Sequence, residues 1–425
     1  MRGSPGSLEP LRERPFRLLF LGRTLSAVGD AVVPVALTFA VLKLGNATDL
    51  GIVLGSQWGG RVLFLVVGGV WADRLPRQLV MMAADLVRAF VQGLIAAAFF
   101  TDSIQIWQLA VASAIFGCAS AFFNPASTGL LPKIVSAARL QEANALLGLT
   151  RGLTEVAGPA VSGLIVSTLG FGVVFALDAV SFIASFACLA AMPLPRAIER
   201  QERKSMLAEA GEGLRLVRER RWMVAGLSCD IVFNFALAAL FVLGPVVVKQ
   251  HYAGARDWGL VLTGGAVGGL LGSAIALRYK PERPLLVGYA FGFATVLQLL
   301  ALARPLPLVV LIVGGGLVFG GITILNTYWT TMEQQHVPAE ALSRVDSLSW
   351  LASLVVLPIG LVVVGPIAGA IGVRGALLAA SGLAALAVVG VLSVRDVREL
   401  RRVDKPSSEE SAVTSASAKS LSQRA

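Results

Sequence analysis

The chain has 425 residues, 56% of them hydrophobic and only 15% charged, with a mean hydropathy of +0.75 and a formal net charge of +10. Soluble proteins carry about 25% charged residues, so a water-facing surface of ordinary polarity cannot be built from this composition. The positive charge does not point to nucleic acid either. The basic residues sit in connections between apolar runs, where anionic lipid and membrane topology account for them.

Apolar runs of about 20 residues recur along most of the chain, the length that a membrane-spanning helix needs. The short alternating strands of a transmembrane barrel are absent. The sequence therefore predicts an all-α polytopic membrane protein, with spans near 16–42, 50–71, 79–101, 105–131, 141–169, 171–192, 222–249, 257–279, 284–303, 306–331, 346–371 and 374–395. The first run is longer than a signal-peptide core and lacks a clear small-residue cleavage site, so it reads as a span of the mature protein. Cys118, Cys188 and Cys229 fall inside spans and read as small apolar residues rather than a disulfide framework.

Arg12, Arg14 and Arg17 precede the first span, and Arg74, Arg77, Lys133, Arg139, Arg278, Lys280 and Arg283 occupy alternate connections. Positive residues stay on the cytoplasmic side, so both termini are expected there. Residues 1–15 form a cytoplasmic segment, 16–192 and 222–396 two bundles of six helices, and 193–221 a cytoplasmic linker between them. In that linker Leu207, Leu214 and Val217 suggest a helix along the membrane surface, with a solvated linker helix as the alternative. The Ser- and Ala-rich tail within 397–425 is expected to be disordered. Two motifs recur in the same order in the two halves. Val135–Leu140 followed by Asn144-Ala145-Leu146 returns 202 residues later as Val337–Leu342 followed by Asp346-Ser347-Leu348, and Gly158-Pro159 returns after 207 as Gly365-Pro366. Duplicated six-helix units are the pattern of parallel-repeat transporters.

The polar block Gly69-Val70-Trp71-Ala72-Asp73-Arg74-Leu75-Pro76-Arg77 lies between the second and third spans. It resembles the loop signature of the major facilitator superfamily of secondary transporters, departing from it at Pro76 and Gln78. That resemblance implies two pseudo-symmetric six-helix bundles, twelve spans in all. It also implies that Gly69, Asp73, Arg74 and Arg77 form a conformational latch, the aspartate facing the dipole at the start of the eleventh helix. The alternative is that the two arginines only fix topology. Gly158-Pro159, with Gly163, resembles the Gly-Pro motif of drug–proton antiporters in the superfamily, with Ser162 in place of a glycine. Leu21-Gly22-Arg23, Phe123-Asn124-Pro125-Ala126 and the region from Asn326 to Arg344 resemble bacterial exporters of the enterobactin and macrolide type.

Ionisable residues at membrane depth are costly, about 2.5–3.5 kcal/mol each on insertion scales, and so mark candidate sites. Asp30 and Arg61 lie near mid-membrane on consecutive helices, with Arg23 on nearly the same face as Asp30. Asp30 is either a proton-coupling carboxylate tuned by Arg61 or Arg23, or half of a permanent ion pair. Arg151 and Glu155, four residues apart, offer a second proton-carrier candidate or an ordinary intrahelical salt bridge. The superfamily's central pathway is lined by the first, fourth, seventh and tenth spans. The residues that resemblance nominates are Phe122, Phe123, Asn124, Asp230, Phe233, Asn234, Asn326, Tyr328 and Trp329, a mix of aromatics and amides suited to a large, partly apolar solute. Helix packing is the competing role for each of them.

No lysine completes a phosphate loop, His251 and His336 are far apart, and no serine sits in a G-x-S-x-G elbow. No catalytic residue, metal site or cofactor is expected. The sequence predicts a proton-coupled exporter of a drug-like or natural-product molecule in the bacterial inner membrane, acting as a monomer. A siderophore exporter is the alternative within that class, and a non-transporting membrane sensor the alternative outside it.

Overall fold

The computed structural model describes residues 9–72, 76–136, 139–193 and 215–402, which form helices and short connections with no strand among them. In chain order the long helices are α1 (Arg14–Leu44), α2 (Ala47–Ala72), α3 (Arg77–Phe100), α4 (Ile106–Ile134), α5 (Leu140–Leu169) and α6 (Phe171–Ala190). After the linker come α7 (Arg221–His251), α8 (Ala255–Arg278), α9 (Pro284–Ala303) and α10 (Leu308–His336). A last helical stretch, Ala339–Ser393, bends at Gly372, whose φ of 79° and ψ of 155° are not helical. It comprises α11 (339–371) and α12 (373–393). Ten helical segments among the described residues are long and apolar enough to cross a bilayer. Of the linker only Arg215 onward is described, as a helical turn at 215–218; its remainder and the 403–425 tail lie outside the described residues.

Local chemistry sets the helix ends. Between α1 and α2, the Asn46 side-chain oxygen accepts the Thr48 and Asp49 backbone N–H groups, and the Asp49 carboxylate accepts that of Asn46. Gln105 and Gln108 form a reciprocal capping box at the start of α4. Gly170, at φ 85°, turns α5 directly into α6, a backbone conformation that a side chain would strain. Leu63, Phe90, Leu277 and Leu386 are 65–75% exposed. Such apolar side chains face lipid at no cost, whereas their backbone bonds are satisfied within the helix.

The two halves touch unevenly. At the end carrying residues 44–47 and 251–255, a Cβ on Gly51 or Gly365 would lie 2.2 Å from the Leu361 carbonyl or 2.4 Å from the Thr48 Cα. Four residues along α2, Gly55 retains a contact of 2.5 Å to Val362; four further on, Gly59 meets nothing within 4 Å. The pair α5–α8 repeats the gradient. Gly259 packs 2.4 Å from the Pro159 carbonyl, the Thr263 hydroxyl donates to the Val156 carbonyl at 3.0 Å, Gly152 approaches Leu270 at 3.7 Å, and Gly148 meets nothing. An apolar core joins the halves at the closed end, where Val35 and Phe39 of α1 pack among Leu243, Trp258 and Leu361. The halves thus seal at one end, and their contacts loosen toward the arginine-rich end as far as Gly59 and Gly148, forming a wedge over the described residues.

Within the C-terminal half, α8 and α10 approach along glycines. A Cβ on Gly268 would fall 2.0 Å from the Gly316 carbonyl, and one on Gly272 2.4 Å from that of Gly320. Backbone cannot move aside as a side chain can, so Gly268→Val should destabilise by about 3 kcal/mol, at the upper end of overpacking costs. Thermal unfolding of the detergent-solubilised protein measures this.

Candidate functional site

The described charges at membrane depth gather in the N-terminal half around Arg88 of α3. Small residues make that gathering possible. A Cβ on Gly22 would sit 3.2 Å from Ser185, and one on Gly29 2.3 Å from the Asp178 carboxylate, so α1 lies close against α6. Asp85, Arg88 and Asp178 are then almost fully buried. Arg88 forms an ion pair with Asp85, whose second oxygen accepts the Ser185 hydroxyl at 2.7 Å. Its other terminal nitrogen lies 3.8 Å from Asp30, which remains 42% exposed. The guanidinium plane is held between the rings of Phe123 and Phe182, at 4.3 and 4.2 Å, a cation–π sandwich. Asp178 accepts the Gln92 amide at 2.5 Å and lies beside the Ser181 hydroxyl. Two carboxylates therefore share one guanidinium, and a third, on Asp178, is held nearby by Gln92.

A direct ion pair between Asp30 and Arg61, one of the two roles the sequence offers for Asp30, is not formed. Arg61 instead lies over the Trp58 ring at 5.2 Å, while Arg88 claims Asp30. The reason is packing: α3 reaches α1 through α6, whereas Gly60 turns that face of α2 onto Ala114 of α4. Arg61 still interacts electrostatically with Asp30 and Arg151, and Arg23 with Arg151. Arg151 and Glu155 form a 2.7 Å salt bridge along α5, with side chains 74% and 56% exposed. Asp85, Arg88, Gln92 and Asp178 were not singled out from the sequence. The signal available was an acid and a base three residues apart in the third apolar run, and a lone aspartate in the sixth.

Gly158 packs on Ala31 of α1, Ser162 donates to the Val32 carbonyl, and Gly163 faces Ala255 across the half boundary. Of the loop residues, Gly69 ends within α2, while Asp73 and Arg74 lie outside the described residues. Arg77 donates to the Gly129 carbonyl of α4.

The expected cavity residues divide. Asp230 and Phe233 line a small gap between α7, α9, α10 and α12, together with Tyr289, at the point where α9 breaks near Phe291–Gly292. Phe122 packs at a tilt against Phe64, Asn234 bonds back to the Asp230 carbonyl, and Asn124 and Asn326 are exposed. Three aromatics serve packing instead. Phe123 covers Arg88, the Tyr328 hydroxyl ties α10 to the Tyr279 carbonyl at 2.8 Å, and Trp329 packs on Trp222 over Gly226.

Two helical halves meeting as a wedge, with charges buried among apolar helices, are the architecture of a multi-pass membrane transporter. Sequence comparison gives the family: the chain matches the transmembrane secretion effector family over residues 5–423, and it belongs to the major facilitator superfamily. It is 28% identical over 389 residues to the multidrug efflux pump Tap of Mycolicibacterium fortuitum, covering 86% of this chain and 92% of that protein. It is 21% identical over 367 residues to macrolide efflux protein A of Streptococcus pyogenes, covering 84% and 90%. Among solved structures, a bacterial homologue of the iron transporter ferroportin in its inward-facing state superposes with a TM-score of 0.70 at 18% identity, over 90% of this chain and 99% of that one. A bacterial homologue of the lysosomal transporter Spinster, inward-facing and unoccupied, gives 0.70 at 13%, over 95% and 100%. At these identities the structures speak for the fold alone.

Proposed function

We propose that this transporter is a proton-coupled exporter of a drug-like or natural-product molecule. In this reading it spans the bacterial inner membrane twelve times, with both termini in the cytoplasm, and works as a monomer. The observation that supports the proposal is that two equivalent helix pairs, α2–α11 and α5–α8, seal the halves at one end, with the contact along α5–α8 opening from Gly259 to Gly148. With the arginine-rich end in the cytoplasm, this is an inward-open state ready to load solute. Similarity to efflux pumps such as Tap supports export over uptake.

Asp30 is the proposed proton carrier, being the half-exposed member of the Arg88 cluster and the one a proton can reach from the cleft. Protonation would release it from Arg88, and its charge would return when the proton leaves on the other side. One charge crossing 100 mV supplies about 2.3 kcal/mol, enough for roughly a fifty-fold solute gradient. Asp73, Arg74 and Arg77 are proposed to latch the opposite state. In everted vesicles with an imposed pH gradient, Asp30→Asn should abolish uphill accumulation of an effluxed dye while leaving downhill exchange. Uphill transport at the wild-type rate would remove Asp30 from the coupling step.

A further inference from the structure

Three arginines near the arginine-rich end outnumber the acids in ion-pair contact with them. Arg23, Arg61 and Arg151 lie on three different helices, yet each is about 13–17 Å in from the arginine-rich end of its helix at 1.5 Å per residue. They share one electrostatic neighbourhood: Arg61 interacts first with the Asp30 carboxylate and then with Arg88 and Arg151, and Arg23 interacts with Arg151. Glu155 is taken by Arg151, and Asp30 is taken by Arg88. Among the described residues, neither Arg23 nor Arg61 has a carboxylate in ion-pair contact. At this same level Gly148, one turn from Arg151 and Gly152, faces open space, where α5 has come away from α8. Guanidinium groups kept at membrane depth without a carboxylate in contact are expensive, and a wet cleft that admits an anion compensates that cost.

We infer that Arg23, Arg61 and Arg151 form an anion-binding site at the mouth of the cleft, and that the exported solute carries a carboxylate, sulfonate or phosphate group. Planar guanidinium forks pair in bidentate fashion with such groups, and Trp58 beneath Arg61 offers a flat apolar surface for the remainder of the solute. The substrate class rests on the exporter reading above; the anion site does not. The same chemistry also suits the headgroup of an anionic lipid entering between α2 and α11. The site commits to the solute, and the test separates the two sources.

The full-length chain carrying Cys118→Ala, Cys188→Ala, Cys229→Ala and Gly148→Cys places one thiol beside the ring. In phosphatidylcholine proteoliposomes it is treated with sulfonatoethyl or trimethylammonioethyl methanethiosulfonate, and each rate is normalised to that of a free thiol in solution. The expected result is a preference of at least about tenfold for the anionic reagent. It should be lost in R23Q/R61Q and kept in R23K/R61K. Carboxyfluorescein should slow the anionic reagent, whereas ethidium should not. Equal normalised rates, or a cationic preference, would overturn the site even if the glutamine variant fails to fold. Loss of the preference on adding phosphatidylglycerol, with no protection by carboxyfluorescein, would assign the ring to lipid and overturn the solute. Efflux is scored separately: absence of proton-driven carboxyfluorescein and ethidium flux, with the preference intact, refutes the exporter and leaves the anion site standing.

Discussion

Arg88→Met is expected to cost about 3–5 kcal/mol of stability, the penalty for leaving a buried charge without its partner. The side chain it removes is 3% exposed and is the one cation in direct contact with both Asp85 and Asp30 among the described residues. Asp85 is fully buried and would keep only the Ser185 hydroxyl. Methionine fills much of the volume between Phe123 and Phe182, so the loss measures charge rather than a void. The double variant Arg88→Met with Asp85→Leu should recover most of the stability, because removing both partners of a buried pair is far less costly than removing one. Arg88→Lys should not rescue, since an ammonium lacks the fork that reaches two carboxylates while lying flat between two rings. Thermal unfolding in detergent, with membrane insertion checked separately, reads all three. A single variant as stable as wild type would mean that Asp85 is held neutral without Arg88.

The second large effect concerns the seal. Gly51→Leu and Gly259→Leu should each lower transport about a hundredfold, because each pushes a side chain into backbone of the opposite half. The obstructing atoms are the carbonyl oxygens of Leu361 and Pro159, 2.2 and 2.4 Å from the added Cβ. An overpacking penalty of about 3 kcal/mol falls on the sealed state alone and shifts the balance between states by roughly that factor. The variants should still fold and insert, since each half keeps its own core. Gly59→Leu, facing open space in this state, serves as the control for expression. Spin-label distances across the two seals should lengthen in the first two variants and stay unchanged in the control. Wild-type transport by Gly51→Leu, with wild-type distances, would show that the seal yields more easily than its backbone contacts imply.

Composition and apolar run length were enough to read an all-α membrane protein and the approximate place of its helices, because hydrocarbon permits few solutions to the backbone hydrogen-bonding problem. The fourth and tenth helices run further than expected, to Ile134 and His336, since the polar turns there stay helical beyond the apolar segment. The superfamily was legible in one loop, from Gly69 to Arg77. The charge network was legible only in part. Asp30 and Arg61 stand out as ions in apolar runs, yet so do Asp85, Arg88 and Asp178, and the sequence does not rank them.

What the sequence alone determined is depth: counting residues from a helix end at a fixed rise places Asp30, Arg61, Arg23 and Arg151 along the membrane normal. What the tertiary structure decided is partnership. The glycines Gly22 and Gly29 draw α1 onto α6, and that approach carries Arg88 of α3 to Asp30, leaving Arg61 on Trp58. Rotation of one helix about its axis relative to another is set by how small and large side chains interlock across several helices at once. No periodicity within a single helix contains that information.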